Sequence, residues 1–409
     1  MDTQYQIEEC VQKCLIDKKV LQPEISIYSH LSKGSNFLGE VMKVNVKGKN
    51  EDKESVKFNL IAKVSKKNDV YRELSGTRHI FLREEYVYST VFPQFEKFQS
   101  EKEITKPFRC YPQVYITSSE DHNETIILED MCEKGFKSSE RAFSLDYNHA
   151  SLIVAELGRF HALSFALRDQ RNSIFTKLAN NLCDLEFHKC PVFPLIIAEW
   201  YAECVKVLDP VTDRKAYTKF KEFEKIFVST AQNAVRPETA EPYAVVGHGD
   251  FWVTNFLFKY DAHSLPVEVC MLDFQFTKVC SPACDISQLM LLCIDQDVRN
   301  QYYDNLIEIY YNSFSSFLVQ LGSDPNTLFP YSILQSHLKK FSVIGLSTAV
   351  RIVYPISILP SEIPDYFSAK STSEVLQMFR NAKKDEDYFV SRMRSIFLHF
   401  LEYNYDLNI

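Results

Sequence analysis

The most informative segment of the chain is residues 246–255, Val246-Gly247-His248-Gly249-Asp250-Phe251-Trp252-Val253-Thr254-Asn255. In this segment an aspartate is followed five residues later by an asparagine. The catalytic loop of kinases has this spacing, because its aspartate accepts the proton of the acceptor hydroxyl and its asparagine binds magnesium. A polar turn with Asp250 capping a helix would give the same pair of residues. The kinase interpretation predicts Asp250 as the catalytic base and Asn255 as a metal ligand.

A second acidic residue stands at the end of an apolar run further along the chain, in Val269-Cys270-Met271-Leu272-Asp273-Phe274-Gln275. A strand would hold the carboxylate of Asp273 rigidly, and Mg²⁺ requires oxygen ligands in a fixed geometry. The alternative is a turn residue at the strand end. With Asp250 and Asn255 upstream, the pattern predicts Asp273 as a second magnesium ligand and phosphoryl transfer from ATP as the chemistry.

Length and composition narrow the class of protein. A chain of 409 residues, 45% hydrophobic and 24% charged, has the composition of a globular protein and exceeds the usual size of one domain. The net charge of −8 and the absence of a Lys/Arg stripe argue against nucleic-acid binding. We expect no membrane span, because no apolar run approaches about 18 residues. We expect no signal peptide, because Met1-Asp2-Thr3-Gln4 is not a basic region followed by an apolar stretch. Eleven scattered cysteines indicate reduced thiols in a cytoplasmic protein.

The first part of the chain is predicted to be rich in β-strands. Alternating apolar residues predict strands at 41–46, 56–64 and 125–128. In the second of these, Lys63 lies on the face opposite the apolar stripe. A helix is expected at 77–92, ending at Pro93.

From about residue 145 the sequence changes to long helical patterns. Apolar spacing predicts helices at 151–167 and 334–353, whereas the polar, proline-containing segment 359–386 predicts a lid or loop. The predicted fold is therefore α+β, with a small β-rich N-lobe (residues 1–130) and a larger, mainly helical C-lobe (residues 131–409).

These motifs carry a family resemblance. His248-Gly249-Asp250 with Asn255, followed by Leu272-Asp273-Phe274-Gln275, resembles the choline kinase and aminoglycoside phosphotransferase superfamily, and within it the ecdysteroid kinase-like (CHK kinase-like) family. Further segments that are similar to this family follow in order: Phe81–Tyr88, Leu128–Met131 with Gly135, Leu157–Ser164, and Ser281-Pro282 with Asp285-Ile286. The matches run from about residue 34 to 290 and cover most of the chain.

The resemblance implies a protein-kinase-like bilobal fold and gives Lys63 the role of binding the α- and β-phosphates of ATP. It implies Glu84 as the ion-pair partner of this lysine, with Glu85 as the alternative. From the residues alone, an exposed strand lysine is the preferred interpretation of Lys63. Glu84 shares its predicted helical face with Ile80 and Val87, and an unpaired charge is costly to bury there.

The resemblance also assigns the remaining nucleotide contacts. Gly34, Ser35 and Asn36 would form a reduced phosphate loop ending at Gly39, although an ordinary turn before a strand fits the same residues. The hinge between the lobes would meet adenine through backbone groups of Leu128, Glu129, Asp130 and Met131.

Four further residues are interpreted as structural. We expect His161, His248 and Asp285 to support the catalytic loop and Trp252 to pack beneath it.

The expected function is phosphorylation of a hydroxylated small molecule, by family analogy an ecdysteroid or another lipophilic or xenobiotic alcohol. Helix 334–353 could line the acceptor pocket through Phe341, Ile344, Val350 and Tyr354, although these residues suit a buried core at least as well. Two alternatives remain open. One is a kinase with a cationic acceptor such as choline or an aminoglycoside, and the other is a non-catalytic, pseudokinase-like binding protein.

Overall fold

The structure is a computed structural model that describes residues 3–29, 39–140, 144–182, 192–364 and 371–408. The predicted phosphate-loop residues Gly34, Ser35 and Asn36 lie outside the described residues. The strands are β1 (Leu21–Ser29), β2 (Gly39–Lys49), β3 (Ser55–Ser65), β4 (Val114–Ser118), β5 (Thr125–Glu129), β6 (Val245–Gly247), β7 (Phe256–Tyr260), β8 (Pro266–Met271) and β9 (Lys278–Cys280).

The helices begin with α1 (Thr3–Asp17), α2 (Asp69–Ser75), α3 (Thr77–Tyr86), α4 (Phe92–Glu101), α5 (Tyr147–Gln170), α6 (Asn172–Asn180), α7 (Val192–Val205), α8 (Arg214–Phe223) and α9 (Phe227–Ala234). They continue with α10 (Pro237–Ala240), α11 (Pro282–Gln288), α12 (Gln296–Gln320), α13 (Pro325–Leu328), α14 (Tyr331–Phe341), α15 (Val343–Ile356), α16 (Thr372–Asn381) and α17 (Glu386–Glu402).

The chain divides into two compact packing units. The first unit comprises Met1–Lys97, Arg109–Ser138 and Phe256–Phe276 and contains β1–β5, β7 and β8. The second comprises Phe98–Phe108, Ser139–Asn255 and Thr277–Ile409 and is mainly helical. The predicted α+β fold, with a small β-rich part and a larger helical part, is confirmed. The packing units interleave along the chain, whereas the predicted lobes are continuous, so the lobe boundary at residue 130 stays a prediction.

The first unit is built on a five-stranded antiparallel sheet of order β1-β2-β3-β5-β4. Strands β2 and β3 pair along their whole length, from Gly39 opposite Ser65 to Lys49 opposite Ser55. Alternate apolar side chains of these strands cluster with the apolar face of α1, and burial of that surface stabilises the unit. This cluster contains Ile7, Val11, Leu15, Val44, Val46, Leu60, Ala62 and Val64. The predicted strands at 41–46, 56–64 and 125–128 are confirmed.

The helix predicted at 77–92 does not end at Pro93. Helix α3 continues through a π-helical turn, Val87–Val91, directly into α4. Pro93 is the second residue of α4 and comes directly after the π-helical turn, where the regular i→i−4 hydrogen-bond pattern is already interrupted. The predicted helix end at Pro93 was wrong, because this residue lies where the π-helical turn ends and α4 begins.

The second unit is centred on the long helices α5 and α12. The rings of Phe165 and Phe314 meet edge to face with centroids 5.3 Å apart, and Ser313 Oγ donates a 2.7 Å hydrogen bond to the carbonyl oxygen of Ala155. Among the described helices, α5 alone is long and apolar enough to cross a membrane, but 72% of its most apolar window is buried inside the protein. We therefore interpret α5 as a core helix.

The helix predicted at 334–353 is two helices, α14 and α15, separated at Ser342. The hydroxyl of Ser342 donates a 2.6 Å hydrogen bond to the carbonyl oxygen of Leu338, and its backbone N–H bonds to the same carbonyl. The apolar spacing continues across the break, so periodicity alone did not show it. The predicted loop at 359–386 contains α16, and residues 365–370 lie outside the described part. Ser371 caps this helix by accepting a hydrogen bond from the N–H of Glu374 at 3.2 Å, a Ser-x-x-Glu signature that the prediction overlooked.

Candidate active site

In the second unit, Asp250 and Asn255 form a compact pair after β6. This strand pairs with β9, and Gly249, with φ 81°, turns the chain sharply into the segment that carries Asp250. Asn255 Nδ2 donates to the backbone oxygen of Asp250 at 2.9 Å and to its carboxylate Oδ2 at 3.3 Å. Because the amide nitrogen of Asn255 is held by Asp250, its amide oxygen is the atom that can bind a cation.

Asp285 of α11 fastens the loop that carries Asp250. Its carboxylate accepts hydrogen bonds from the backbone N–H of His248 at 2.7 Å and of Gly249 at 2.9 Å. His161 Nε2 lies 3.2 Å from the same carboxylate, and His161 Nδ1 lies 2.8 Å from the hydroxyl of Tyr310. Burial of Asp285 opposes its ionisation, but the hydrogen bonds and nearby imidazoles bring its pKa below the usual value. These contacts agree with the structural roles predicted for His161, His248 and Asp285.

Gln288, also on α11, is a further support that the sequence did not reveal. Its side chain accepts from the N–H of Phe251 and donates to the carbonyl oxygen of Gly249, both at 3.2 Å. Phe251 is fully buried, whereas Trp252 is only half-buried. Phe251 is therefore the fully buried residue of the loop, and the packing role of Trp252 stays a prediction. Phe251 was overlooked because the family motif drew attention to its neighbour.

Arg351 of α15 contacts the predicted catalytic base directly. Its Nη2 lies 3.1 Å from Asp250 Oδ1, and the two side chains are 17% and 12% exposed. Sequence reasoning missed this residue. The available signal was a single arginine in the apolar stretch Val343–Ile356, because a charge is costly to bury there without a partner.

In the first unit, three of the predicted residues meet around one ammonium group. Lys63 of β3 lies with its Nζ 2.6 Å from Glu84 Oε2 of α3, and it also hydrogen-bonds to Asp273 Oδ1. Lys63 is 5% exposed and Glu84 is 1% exposed. Glu85 instead accepts a hydrogen bond from Thr117 Oγ1, so Glu84 is the partner of the lysine. A strand lysine paired with a helix glutamate is the arrangement found in protein kinases.

Lys63, Glu84 and Asp273 influence one another's ionisation. Burial works against the positive charge of Lys63, but Asp273 and Glu84 together raise its pKa. Burial also raises the pKa of Glu84 to about 7, with Lys63 acting in the opposite direction. Two carboxylates thus share one ammonium, and Glu84 Oε1 is buried without a hydrogen-bond partner in the described part of the chain. Asp273 is the exposed member of the group, with 28% of its side chain open to solvent.

The hairpin β7–β8 brings Asp273 to this position. Lys137 exchanges backbone hydrogen bonds with Phe258, and the N–H of Met271 donates to the carbonyl oxygen of Cys110 at 2.7 Å. The ring of Phe274 meets that of Phe92 edge to face at 4.8 Å. Asp273 itself has φ 60°, a left-handed conformation that is strained for a residue with a side chain and recurs at functional sites.

The predicted hinge residues span the end of β5 in the first unit, with Leu128 and Glu129 inside the strand. The N–H groups of Glu129 and Asp130 already bond to the carbonyl oxygens of Gln113 and Asn59. The carboxylate of Asp130 accepts from the N–H of Cys132 at 3.0 Å and pairs with Lys43 Nζ at 3.1 Å. A 3-10 turn, Met131–Lys134, comes next. The contacts hold this segment in place, and its role in binding adenine stays a prediction.

Magnesium binding at Asn255 and Asp273 also stays a prediction. Within the described ranges, His, Cys, Asp and Glu side chains do not form a cluster of three or more that could hold a metal ion by themselves. The predicted ligand pair is of a different kind, one amide oxygen and one carboxylate, with phosphate oxygens expected to complete the coordination.

Comparison with known proteins gives one family. The structure is similar to that of choline kinase from Cryptosporidium parvum Iowa II, with a TM-score of 0.43 and 12% sequence identity. The match covers 98% of this chain and 95% of that chain. The structure is also similar to the GDP complex of aminoglycoside 2'-phosphotransferase-IIIa, with 11% identity, coverage of 99% and 100%, and a TM-score of 0.44.

None of the curated proteins matches the chain significantly. The model of the ecdysteroid kinase-like family, in contrast, matches residues 33–323. That range is well over half of the 409 residues and includes Lys63, Glu84, Asp250, Asn255 and Asp273. The chain therefore belongs to the ecdysteroid kinase-like family, and this membership supports a small-molecule kinase.

Proposed function

We propose that this protein transfers the γ-phosphoryl group of ATP to a hydroxyl of a small molecule, with Asp250 as the catalytic base. The observation that carries the proposal is the way Asp250 is held. Its carboxylate contacts Asn255 and Arg351, and its loop is fastened by the buried Asp285. A base fixed in this manner can orient an acceptor hydroxyl and take its proton, which supplies much of the catalysis in phosphoryl transfer.

Lys63 supplies positive charge for the nucleotide phosphates. It is buried between two carboxylates and stays protonated, so it presents a fixed cation rather than a mobile surface lysine. Glu84 orients this cation from α3. The residues Leu128, Glu129, Asp130 and Met131 are the proposed adenine contacts, made through their backbone groups.

We propose Asn255 and Asp273 as the magnesium ligands. Asn255 offers an amide oxygen and Asp273 offers a partly exposed carboxylate, and both are the hard oxygen ligands that Mg²⁺ prefers. Bound there, the ion would neutralise charge on the phosphates during transfer. Asp273→Asn is expected to weaken binding of magnesium-ATP, measured by calorimetry, because it removes the charge of one ligand.

The proposed acceptor is an ecdysteroid or another lipophilic or xenobiotic alcohol, and this part rests on the family. Phe341, Ile344, Val350 and Tyr354 are at most 3% exposed, which supports the core interpretation of these side chains. We propose a cytoplasmic site of action, because the nine cysteines in the described residues are free thiols, as expected in a reducing compartment. The pseudokinase alternative is disfavoured, since Lys63, Asp250, Asn255 and Asp273 are all present.

The proposal is tested by measuring ADP release from magnesium-ATP by the purified protein. The acceptors are ecdysteroids, hydroxylated plant compounds, choline and an aminoglycoside, and Asp250→Asn is the control. We expect acceptor-dependent turnover that the variant lacks. Absence of ADP release with every acceptor, together with no thermal shift by magnesium-ATP, would favour the non-catalytic binding protein.

A further inference from the structure

We propose that Arg351 is a specificity-determining residue that excludes cationic acceptors, so that the phosphorylated hydroxyl belongs to an uncharged or anionic molecule. The inference rests on the proposed function, because it takes Asp250 as the group that meets the acceptor. It goes further by deciding between the two acceptor classes that the sequence left open.

The first observation is the position of the guanidinium. Arg351 Nη2 lies 3.1 Å from Asp250 Oδ1, and both side chains are largely shielded from solvent. Arginine stays protonated at all physiological pH values, so this positive charge is permanent. An acceptor whose hydroxyl reaches Asp250 comes close to the guanidinium as well. A cationic acceptor is repelled by Arg351, and the negative charge of Asp250 that would attract it is already compensated.

The second observation concerns the aromatic side chains beside Arg351. Tyr354, three residues further along α15, stacks on Trp200 with ring centroids 5.2 Å apart and meets Phe389 edge to face at 5.8 Å. Clustered aromatic faces are the usual binding site for a quaternary ammonium group. Here Lys384 Nζ lies 4.6 Å from the centroids of both Tyr354 and Phe389. The protein's own lysine therefore takes the position that a cationic ligand would need.

The third observation concerns the acidic residues near the same aromatic cluster. Burial, Glu203 and Glu199 together raise the pKa of Tyr354 to about 12, which reflects the closeness of the two carboxylates to its ring. Glu199 is held by Arg380 through two hydrogen bonds, one of them 2.6 Å long, and Glu203 pairs with Lys206 at 2.5 Å. Each of these two carboxylates is therefore paired with a basic side chain of the protein.

Basic side chains of the chain itself thus contact the carboxylate of Asp250, the rings of Tyr354 and Phe389, and the carboxylates of Glu199 and Glu203. Of their basic partners, Arg351 alone contacts the catalytic base. Its charge is therefore the one that sets acceptor selectivity at the reacting hydroxyl.

The test compares two alcohols that share a shape and differ in charge, choline and 3,3-dimethylbutan-1-ol. The full-length wild-type protein, Arg351→Gln and the charge-conserving control Arg351→Lys are assayed for ADP release with each alcohol. Binding of each alcohol is measured in parallel by calorimetry. We expect Arg351→Gln to raise the preference for choline over the neutral alcohol about tenfold or more, in kcat/KM or in binding, because one repelling charge is removed. Arg351→Lys should keep the wild-type preference.

The outcomes separate the inference from the proposed function. A purely supporting role for Arg351 would lower activity with both alcohols equally and leave the preference unchanged, and that result overturns the inference. A wild-type preference for choline over its neutral isostere overturns it as well, while leaving the kinase activity intact. Lack of acceptor-dependent ADP release with the entire acceptor panel would instead refute the proposed function, and the binding measurements would still decide on Arg351.

Discussion

Replacing Asp285 by asparagine tests how the catalytic loop is held. The wild-type carboxylate accepts hydrogen bonds from two backbone N–H groups, those of His248 and Gly249, and contacts His161 Nε2. Asparagine has nearly the same shape but offers one oxygen in place of two. Its NH₂ group must face a donor, so at least one buried N–H loses its acceptor.

The size of the effect follows from these contacts. A hydrogen bond to a charged group contributes about 1.5–3 kcal/mol, and removing one partner of a buried charged network costs about 3–5 kcal/mol. We therefore expect Asp285→Asn to lower the free energy of unfolding by about 3 kcal/mol. We also expect kcat to fall about tenfold or more, because a base displaced by about 1 Å can lose about 100-fold in rate. The KM for ATP should change little, because Lys63 and Glu84 belong to the other packing unit.

The pH dependence gives this prediction a second readout. The pKa of Asp285 is lowered in the folded protein, so its ionised form stabilises the fold above the unfolded pKa of about 4. This stabilisation is lost as the pH falls through the lower, folded value. The difference in free energy of unfolding between the wild type and Asp285→Asn should therefore become smaller at acidic pH.

The assays are urea unfolding followed by fluorescence, and ADP release. Asp324→Asn is the matched control, because Asp324 is an exposed helix cap whose acceptor role asparagine can take over. It should change stability by less than about 0.5 kcal/mol. If Asp285→Asn is as stable and as active as this control, the loop is not held by Asp285 and the reasoning fails.

Two further predictions concern packing and charge. Gly345→Ala should destabilise the protein by about 1–3 kcal/mol in thermal or urea unfolding, because its Cβ would lie 2.4 Å from the backbone oxygen of Ser287 on α11. An alanine variant as stable as the wild type would contradict the close approach of α11 and α15. The pKa of Glu84 is raised to about 7, so its ionisation costs stability as the pH rises from about 4.5 through 7. Glu84→Gln removes this titration. The thermal stability of the wild type relative to the variant should therefore be greater at pH 5 than at pH 8. The same difference in thermal stability at both pH values would count against the raised pKa of Glu84.

The parts of the fold that follow from local pattern were predictable from the sequence. Strand β3 shows its alternation of apolar and polar residues openly, and that alternation also places Lys63 opposite the apolar stripe. The spacing of Asp250 and Asn255 brings the two side chains together within one loop, so short-range geometry is enough to predict their contact. The apolar run before Asp273 identified that residue, and the family resemblance identified Glu84. Both meet Lys63, although 210 and 21 residues separate them from it.

The contacts that depend on tertiary packing were not predictable. Arg351 is 101 residues from Asp250 in the chain, and Gln288 is 37 residues from Phe251. Neither belongs to a motif with a fixed spacing. The break between α14 and α15 was missed for a similar reason. It falls at Ser342, while the apolar periodicity continues through it.

The central claim is most directly tested by one comparison of wild type and Asp250→Asn in magnesium-ATP with the hydroxylated acceptor that gives the highest turnover. The variant keeps the size of the side chain and removes its capacity to take a proton. Acceptor-dependent ADP release should fall by at least about 100-fold, the scale of general base catalysis, while magnesium-ATP binding by calorimetry stays within about threefold. Turnover by Asp250→Asn at the wild-type rate, with binding unchanged, would show that Asp250 is not the base and contradict the account.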